Sequence, residues 1–245
     1  MTPATHENAR LEELAALVLP GLPALDVGTD HAYLPMALVD RGICPHVIAS
    51  DRSPAVIARL RAALRDSRFA DRIEPVHADG LDSLAGRRAA TVVIAGMGGH
   101  AIAGILARGR MALDEVRRLV IAPQRDAPVV RRALHALGWG PREERLVESR
   151  GRFYWVLAAE ADRTTNHRRD EPLDELDVAL GSIARRRGDP CFLRFALAQQ
   201  SRLASVLAGL DDAGTARTLA RRERLSRIHD ALSKALEEAR CTGTS

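Results

Sequence analysis

Over residues 1–160, short apolar runs rich in β-branched residues alternate with stretches of helical spacing. The predicted strands, each bounded by turn or charged residues, are Pro23–Gly28, Pro45–Ser50, Arg72–Ala78, Thr91–Ala95 and Arg118–Ala122. The predicted helices between them are Tyr33–Arg41, Pro54–Ser67, His100–Arg108 and Pro128–Leu137. This alternation predicts an α/β domain in which helices cover both faces of a parallel sheet.

After the fifth predicted strand the pattern changes. Residues 142–149 and 153–160 are predicted to be two strands joined by a tight turn. An antiparallel hairpin at one edge of a parallel sheet is typical of a Rossmann-like methyltransferase domain. We therefore assign residues 1–160 to one such domain.

The remainder of the chain is predicted to be helical. Residues 161–172 are polar and contain Pro172, so we interpret them as a linker. A first helix is predicted over Asp174–Arg187. Two apolar stripes then predict an antiparallel, coiled-coil-like helix pair with a turn at 211–214. We assign residues 173–245 to this helical tail.

Composition excludes several classes of protein. The hydrophobic content of 46% is too high for a disordered chain, and no apolar run approaches the roughly 20 residues that span a bilayer. The three Cys are scattered, and the eight His form no ligand pair, so we expect neither a disulfide framework nor a metal site. The amino terminus lacks the pattern of a secretion signal, which favours a cytoplasmic protein. A monomer is the simpler expectation, and a dimer stays open.

The end of the first predicted strand carries the first cofactor signal. Asp26 is followed closely by Gly28, which permits a tight turn and close approach of a ligand to the backbone. The dinucleotide pattern GxGxxG is absent, and Asp30 would repel a pyrophosphate. A ligand without phosphates, S-adenosylmethionine, fits better because it carries an ammonium and a sulfonium.

Three further signals follow the next three predicted strands. Asp51 is placed to accept hydrogen bonds from ribose hydroxyls. Asp79 suits the exocyclic amine of adenine, and Gly80 would clear space for the ring. The glycine-rich stretch, which would open the floor of the site, consists of Ala95, Gly96, Met97 and Gly98. Ligands of open α/β sheets bind at such strand ends, so together these signals predict a cofactor site.

Three segments carry a resemblance to a known family: Asp26–Pro35, which contains GTDHAYLP, Asp79–Leu81, and Ile94–Gly99, which reads IAGMGG. In these, the first 160 residues resemble the bacterial tRNA adenine-22 N1-methyltransferases of the TrmK type. The resemblance implies a class I methyltransferase fold, a C-terminal coiled-coil domain, and methylation of N1 of one adenine in tRNA. On matching positions, it implies that Gly28, Asp51, Asp79 and Gly80 hold the cofactor and that 95–98 form the floor.

The resemblance also implies that Asp30, His31 and Tyr33 line the space near the transferred methyl, where we assign them as candidate catalytic residues. The Asp30 carboxylate would stabilise the cationic product ring, or would instead cap the following helix. His31 would accept a proton or serve as a structural hydrogen-bond partner. Tyr33 would stack on the flipped adenine or pack in the core.

One departure from the family concerns the acceptor side. The family carries Gln-Pro-Asn after the fifth strand, whereas this chain has Ala122, Pro123 and Gln124. We expect Pro123 and Gln124 to contact the substrate base. Arg186 and Arg222, from two arginine clusters of the tail, are candidate contacts to RNA phosphates, with a solvated helix face as the alternative.

Two other functions compete with tRNA adenine N1-methylation. The altered tripeptide permits a methyltransferase with another acceptor, either a different RNA position or a small molecule. A non-catalytic tRNA-binding protein that kept the fold is the third hypothesis. The retained strand-end residues argue against it, because a site without activity has no physical reason to keep them.

Overall fold

The computed structural model describes residues 5–149, 151–161, 173–181, 189–210 and 215–242. The chain divides into two compact units, Met1–Pro172 and Leu173–Ser245.

Within residues 5–149 and 151–161, the first unit contains seven strands and five α-helices. The strands are β1 (Ala24–Val27), β2 (Val47–Asp51), β3 (Ile73–His77), β4 (Thr91–Ala95), β5 (Arg118–Ala122), β6 (Trp139–Ser149) and β7 (Arg152–Ala161). The helices are α1 (Thr5–Leu17), α2 (Tyr33–Asp40), α3 (Pro54–Leu64), α4 (Gly99–Arg108) and α5 (Ala127–Ala136). Short 3₁₀ turns occupy Gly80–Leu84 and Arg110–Leu113.

All seven strands form one sheet in the order β3-β2-β1-β4-β5-β7-β6. The first five pair in parallel, and β7 lies antiparallel between β5 and β6. The predicted Rossmann-like sheet with an antiparallel edge hairpin is therefore confirmed. Because β1 is flanked by β2 and β4, the chain reverses direction across the sheet between β1 and β4, where open α/β sheets form a crevice.

Burial explains why the strands read as continuous apolar runs. The helices α1, α2 and α3 contribute to one hydrophobic cluster with alternate residues of the strands, such as Val93 and Val120. The intervening residues, such as Leu25 and Ile121, are also fully buried, so the opposite face is covered as well. The edge hairpin adds two large aromatic side chains, Trp139 and Trp155, which are both buried.

The helix α1 was not predicted. It runs antiparallel to β5, since Arg10 donates to the carbonyl of Ala122 at one end of that strand and Arg118, at the other end, donates to the carbonyl of Leu17. Its inner face, including Leu14, is buried against the sheet. The amino-terminal half of α1 therefore lies at the carboxyl edge of the sheet.

The second unit contains α6 (Glu175–Leu180), α7 (Pro190–Ala208) and α8 (Ala216–Thr242). The helix predicted over Asp174–Arg187 begins with the Asp174 side chain as its cap but ends at Leu180, because Gly181 takes a φ of 70°. The rest of that prediction, and the turn at 211–214, lie outside the described residues. A hydrogen bond of 2.7 Å between Gln200 and Ser233 joins α7 to α8.

Candidate functional site

The carboxyl ends of the parallel strands gather the predicted cofactor residues at one edge of the sheet. Asp26 lies in β1, and Gly28 follows it; Asp51 ends β2. Asp79 lies two residues after β3, and Gly96 comes directly after β4. Residues far apart in sequence are therefore brought to a single crevice by the strand order.

The turn after β1 is tight and fixed. Gly28 takes a φ of 77°, and the amides of Gly28 and Thr29 both donate to the carbonyl of Ser50, at 2.8 and 2.9 Å. A Cβ at Gly28 would overlap the Cε of Met97 from the loop after β4. The turn therefore needs glycine both for its backbone angle and for the close approach of Met97.

Two carboxylates on the neighbouring strands β1 and β2, those of Asp26 and Asp51, interact electrostatically. Asp26 is only 6% exposed, and its pKa is raised to about 6, chiefly by burial; Thr29 opposes this effect and the Asp51 carboxylate adds to it. Asp51 is partly exposed, and its Oδ1 accepts the amide of Ser53 at 2.8 Å. This pair favours a ligand that offers hydrogen-bond donors or positive charge.

The segment after β3 carries Asp79 and Gly80, which both make contacts to α4. Asp79 is exposed and lies 3.6 Å from the guanidinium of Arg108. Gly80 takes a φ of 58°, but a Cβ there would come within 3.0 Å of Ile105 in α4. The structure therefore gives Gly80 a role in packing α4, in addition to any role in clearing space for a ring.

The loops that follow β4 and β5 are joined into one piece. Gly96 donates to the Ala122 carbonyl at 3.2 Å, Gln124 donates to the Met97 carbonyl at 2.8 Å, and Gly99 donates to the Arg125 carbonyl at 3.0 Å. Pro123 is buried and Gln124 is exposed. The predicted acceptor-side residues are therefore fixed directly beside the predicted floor, Ala95 to Gly98.

The three candidate catalytic residues form an exposed group after β1. The Asp30 carboxylate lies 3.5 Å from His31 Nε2 and 3.7 Å from the Arg59 guanidinium. The rings of His31 and Tyr33 have centroids 5.5 Å apart. Asp30 and Ala32 take positive φ values of 47° and 54°, which are strained for residues other than glycine.

These positions exclude two of the structural alternatives to a catalytic role, one for Asp30 and one for Tyr33. Ala32, and not Asp30, precedes the first turn of α2, and no side chain caps that helix. The interpretation of Asp30 as a helix cap is therefore wrong. Tyr33 is 42% exposed, so the interpretation of Tyr33 as a core residue is wrong as well.

Arg10 reaches this edge of the sheet and was missed by the sequence analysis. Its guanidinium donates to the Ala122 carbonyl at 3.2 Å and lies 5.5 Å from the Tyr154 ring centroid. Burial lowers its pKa, and Tyr154 opposes this effect. The spacing of Leu11, Leu14 and Val18 was the signal for the helix that carries it.

The two arginines expected to contact RNA lie in the second unit. Arg186 lies outside the described residues. Arg222 is in α8 and is partly exposed. Among the described residues, no group of His, Cys, Asp or Glu is arranged to hold a metal ion. None of the helices in the described ranges is both long enough and apolar enough to cross a membrane.

Comparison with known proteins defines the family. Residues 7–157 match the family described as "Methyltransferase domain". The chain is 30% identical over 176 residues to the tRNA (adenine(22)-N(1))-methyltransferase of Bacillus subtilis, and the match covers 72% of each chain. The chain belongs to the tRNA adenine-22 N1-methyltransferase family. This family is the TrmK type of class I methyltransferase, which agrees with the resemblance carried by the strand-end motifs.

Solved structures agree with membership of the tRNA adenine-22 N1-methyltransferase family. Sp1610 of Streptococcus pneumoniae, in complex with S-adenosyl-L-methionine, is 28% identical with a TM-score of 0.77, and the match covers 93% of this chain and 98% of that one. B. subtilis TrmK is 25% identical with a TM-score of 0.80, covering 93% and 97%. Both matches extend beyond the methyltransferase domain.

Proposed function

We propose that this protein transfers a methyl group from S-adenosylmethionine to N1 of the adenine at position 22 of tRNA. One observation carries the proposal: the cofactor crevice at the tips of β1 to β4 is joined by hydrogen bonds to the acceptor loop after β5. Family membership supplies the substrate class, since the B. subtilis relative is named for this reaction.

The residues of the crevice fit the cofactor. Gly96 takes a φ of 80°, and among the described residues a Cβ there would meet only the Arg10 guanidinium, at 3.8 Å, so the floor is open. The Asp51 carboxylate is accessible to ribose hydroxyls, and Asp79 to an exocyclic amine. When bound, the cofactor supplies an electrophilic methyl group on its sulfonium.

The chain then has to place the adenine and stabilise charge. N1 of a neutral adenine has a lone pair, so alignment with the methyl group supplies most of the acceleration and no strong base is required. The product ring is cationic, and the Asp30 carboxylate is our candidate to stabilise that charge. The exposed Tyr33 ring offers a stacking surface for an adenine that has left its own stack. We assign Gln124 to the edge of the base.

A methylation assay tests this proposal. The protein is incubated with labelled S-adenosylmethionine and unmodified tRNA, and the nucleosides are identified by mass spectrometry after digestion. We expect N1-methyladenosine at position 22, and none in a matched transcript that carries guanine there. Methylation of another position, or of no tRNA while cofactor binding is intact, would favour a different acceptor.

Asp51→Ala tests the cofactor site with Asp71→Ala as its control. Both changes remove one carboxylate. However, Asp71 is exposed and precedes the amino end of β3, whereas the crevice lies at the carboxyl ends of the strands. We expect Asp51→Ala to abolish measurable cofactor binding in calorimetry and Asp71→Ala to leave it unchanged. Equal effects of the two changes would show that Asp51 does not bind the cofactor.

We further propose that the helical unit docks tRNA. The Gln200–Ser233 contact sets the register of the antiparallel pair, so that Ala208, the last residue of α7, falls opposite about residue 225 of α8. The start of α8 therefore extends past the end of α7. Arg217, Arg221 and Arg224 are exposed on this extension at spacings of four and three, which places them on one side of the helix. Such a stripe suits a row of phosphates.

A further inference from the structure

The carbonyl of Ala122 connects three separate segments at the carboxyl edge of the sheet. It ends β5, and it accepts one hydrogen bond from the amide of Gly96 and another from the guanidinium of Arg10, both at 3.2 Å. Gly96 belongs to the cofactor floor, and Ala122 begins the acceptor loop. Arg10 therefore enters from α1 at the junction of the cofactor side and the acceptor side.

Within the described part of the chain, this partly buried guanidinium has few polar partners. Among the described residues, no carboxylate forms an ion pair with Arg10. Its Nε is buried without a hydrogen-bond partner among the described residues, and the guanidinium lies over the face of the Tyr154 ring. Burying a cation without an anion is costly, and burial also lowers the pKa of this group. Of the five N–H donors of an arginine, the described hydrogen bonds use one.

We infer that Arg10 binds an anionic oxygen of the bound reactants, either the carboxylate of S-adenosylmethionine or a phosphate that flanks the target adenosine. This inference rests on the proposed function. A carboxylate offers a planar pair of oxygens, and a phosphate offers charged oxygens. The forked guanidinium of arginine binds both kinds of group. The base itself is a poor partner, because a cation beside N1 would oppose the positive charge of the product ring.

The test compares Arg10→Gln and Arg10→Lys with Arg65→Gln. Arg65 is an exposed arginine just after α3 and makes no contact with the site. Calorimetry without RNA gives the Kd for S-adenosylmethionine, and steady-state kinetics at saturating cofactor give the KM for tRNA as a function of salt. Loss of a hydrogen bond to a charged group weakens binding by about tenfold or more.

The two sources of the anion give different results. If the carboxylate is the ligand, Arg10→Gln raises the Kd for S-adenosylmethionine about tenfold or more, and the salt dependence of tRNA binding is unchanged. If a phosphate is the ligand, the cofactor Kd is unchanged, the tRNA KM rises, and the slope of log affinity against log salt falls by about 1. Arg10→Lys keeps the charge without the fork and should fall between wild type and Arg10→Gln in either case.

The inference is overturned if cofactor Kd, tRNA KM and salt slope all stay within about twofold of the Arg65→Gln values, whatever happens to the Tm. Arg10 would then only brace the Ala122 carbonyl. If Arg10→Gln does not fold, Arg10→Lys carries the same comparison. Failure of the proposed function gives a different result: the wild-type protein then transfers no methyl group to tRNA. The Kd for the cofactor can still be measured in that case and still tests Arg10.

Discussion

Replacing Asp26 with asparagine should make the protein more stable near neutral pH and have little effect in acid. The Asp26 carboxyl is buried in the folded unit with a pKa of about 6, against about 3.9 in an unfolded chain. The folded state therefore holds this proton more tightly than the unfolded state. The stabilisation that this bound proton provides is complete below the pKa of Asp26 in the unfolded chain. It is lost as the pH rises through about 6.

The size of the effect follows from the two pKa values. A shift of about two units corresponds to about 3 kcal/mol once both states are ionised. Between about pH 4.5 and pH 7.5, the free energy of unfolding of Asp26→Asn should rise relative to wild type by about 2 kcal/mol. Asparagine has nearly the same shape and does not titrate, so other groups cancel in the difference.

Urea unfolding followed by tryptophan fluorescence measures this difference. The two tryptophans of the chain, Trp139 and Trp155, are both buried in the first unit and report on that unit. A difference between wild type and Asp26→Asn that stays constant across this pH range would refute the reasoning. It would mean that Asp26 is solvated or paired more fully than its burial implies.

Three further results are expected. Gly99→Ala places a Cβ against the backbone carbonyl of the loop after β5 and should cost about 1–3 kcal/mol in urea unfolding, whereas Gly104→Ala in the same helix meets only a flexible side chain and should be neutral or stabilising. Arg131→Ala breaks a largely buried ion pair with Glu144 and should cost about 3–5 kcal/mol; a cost below about 1 kcal/mol would contradict the buried pairing. Removal of residues 173–245 should spare the Kd for S-adenosylmethionine and weaken tRNA binding in a filter assay, and full retention of tRNA affinity would remove the docking role.

The sequence by itself determined the repeating elements of the sheet and the residues at the strand ends. Strands buried on both faces, such as β4, read as apolar runs because residues 91–94 are all shielded from water. The strand-end motifs were recognisable because backbone turns and close approach to a ligand restrict residue type at positions such as Gly28. The family and its cofactor chemistry followed from those motifs.

Tertiary structure decided what depends on contacts between distant segments. The burial of Asp26 beside Asp51, which sets its pKa, arises from the strand order and not from any local pattern. Met97 lies against Gly28, and Arg10 reaches Ala122, across 69 and 112 residues of sequence. Such contacts are set by the packing of whole elements, so neither periodicity nor motif spacing predicts them. Only the fold showed that Arg10 lies where the cofactor floor meets the acceptor loop.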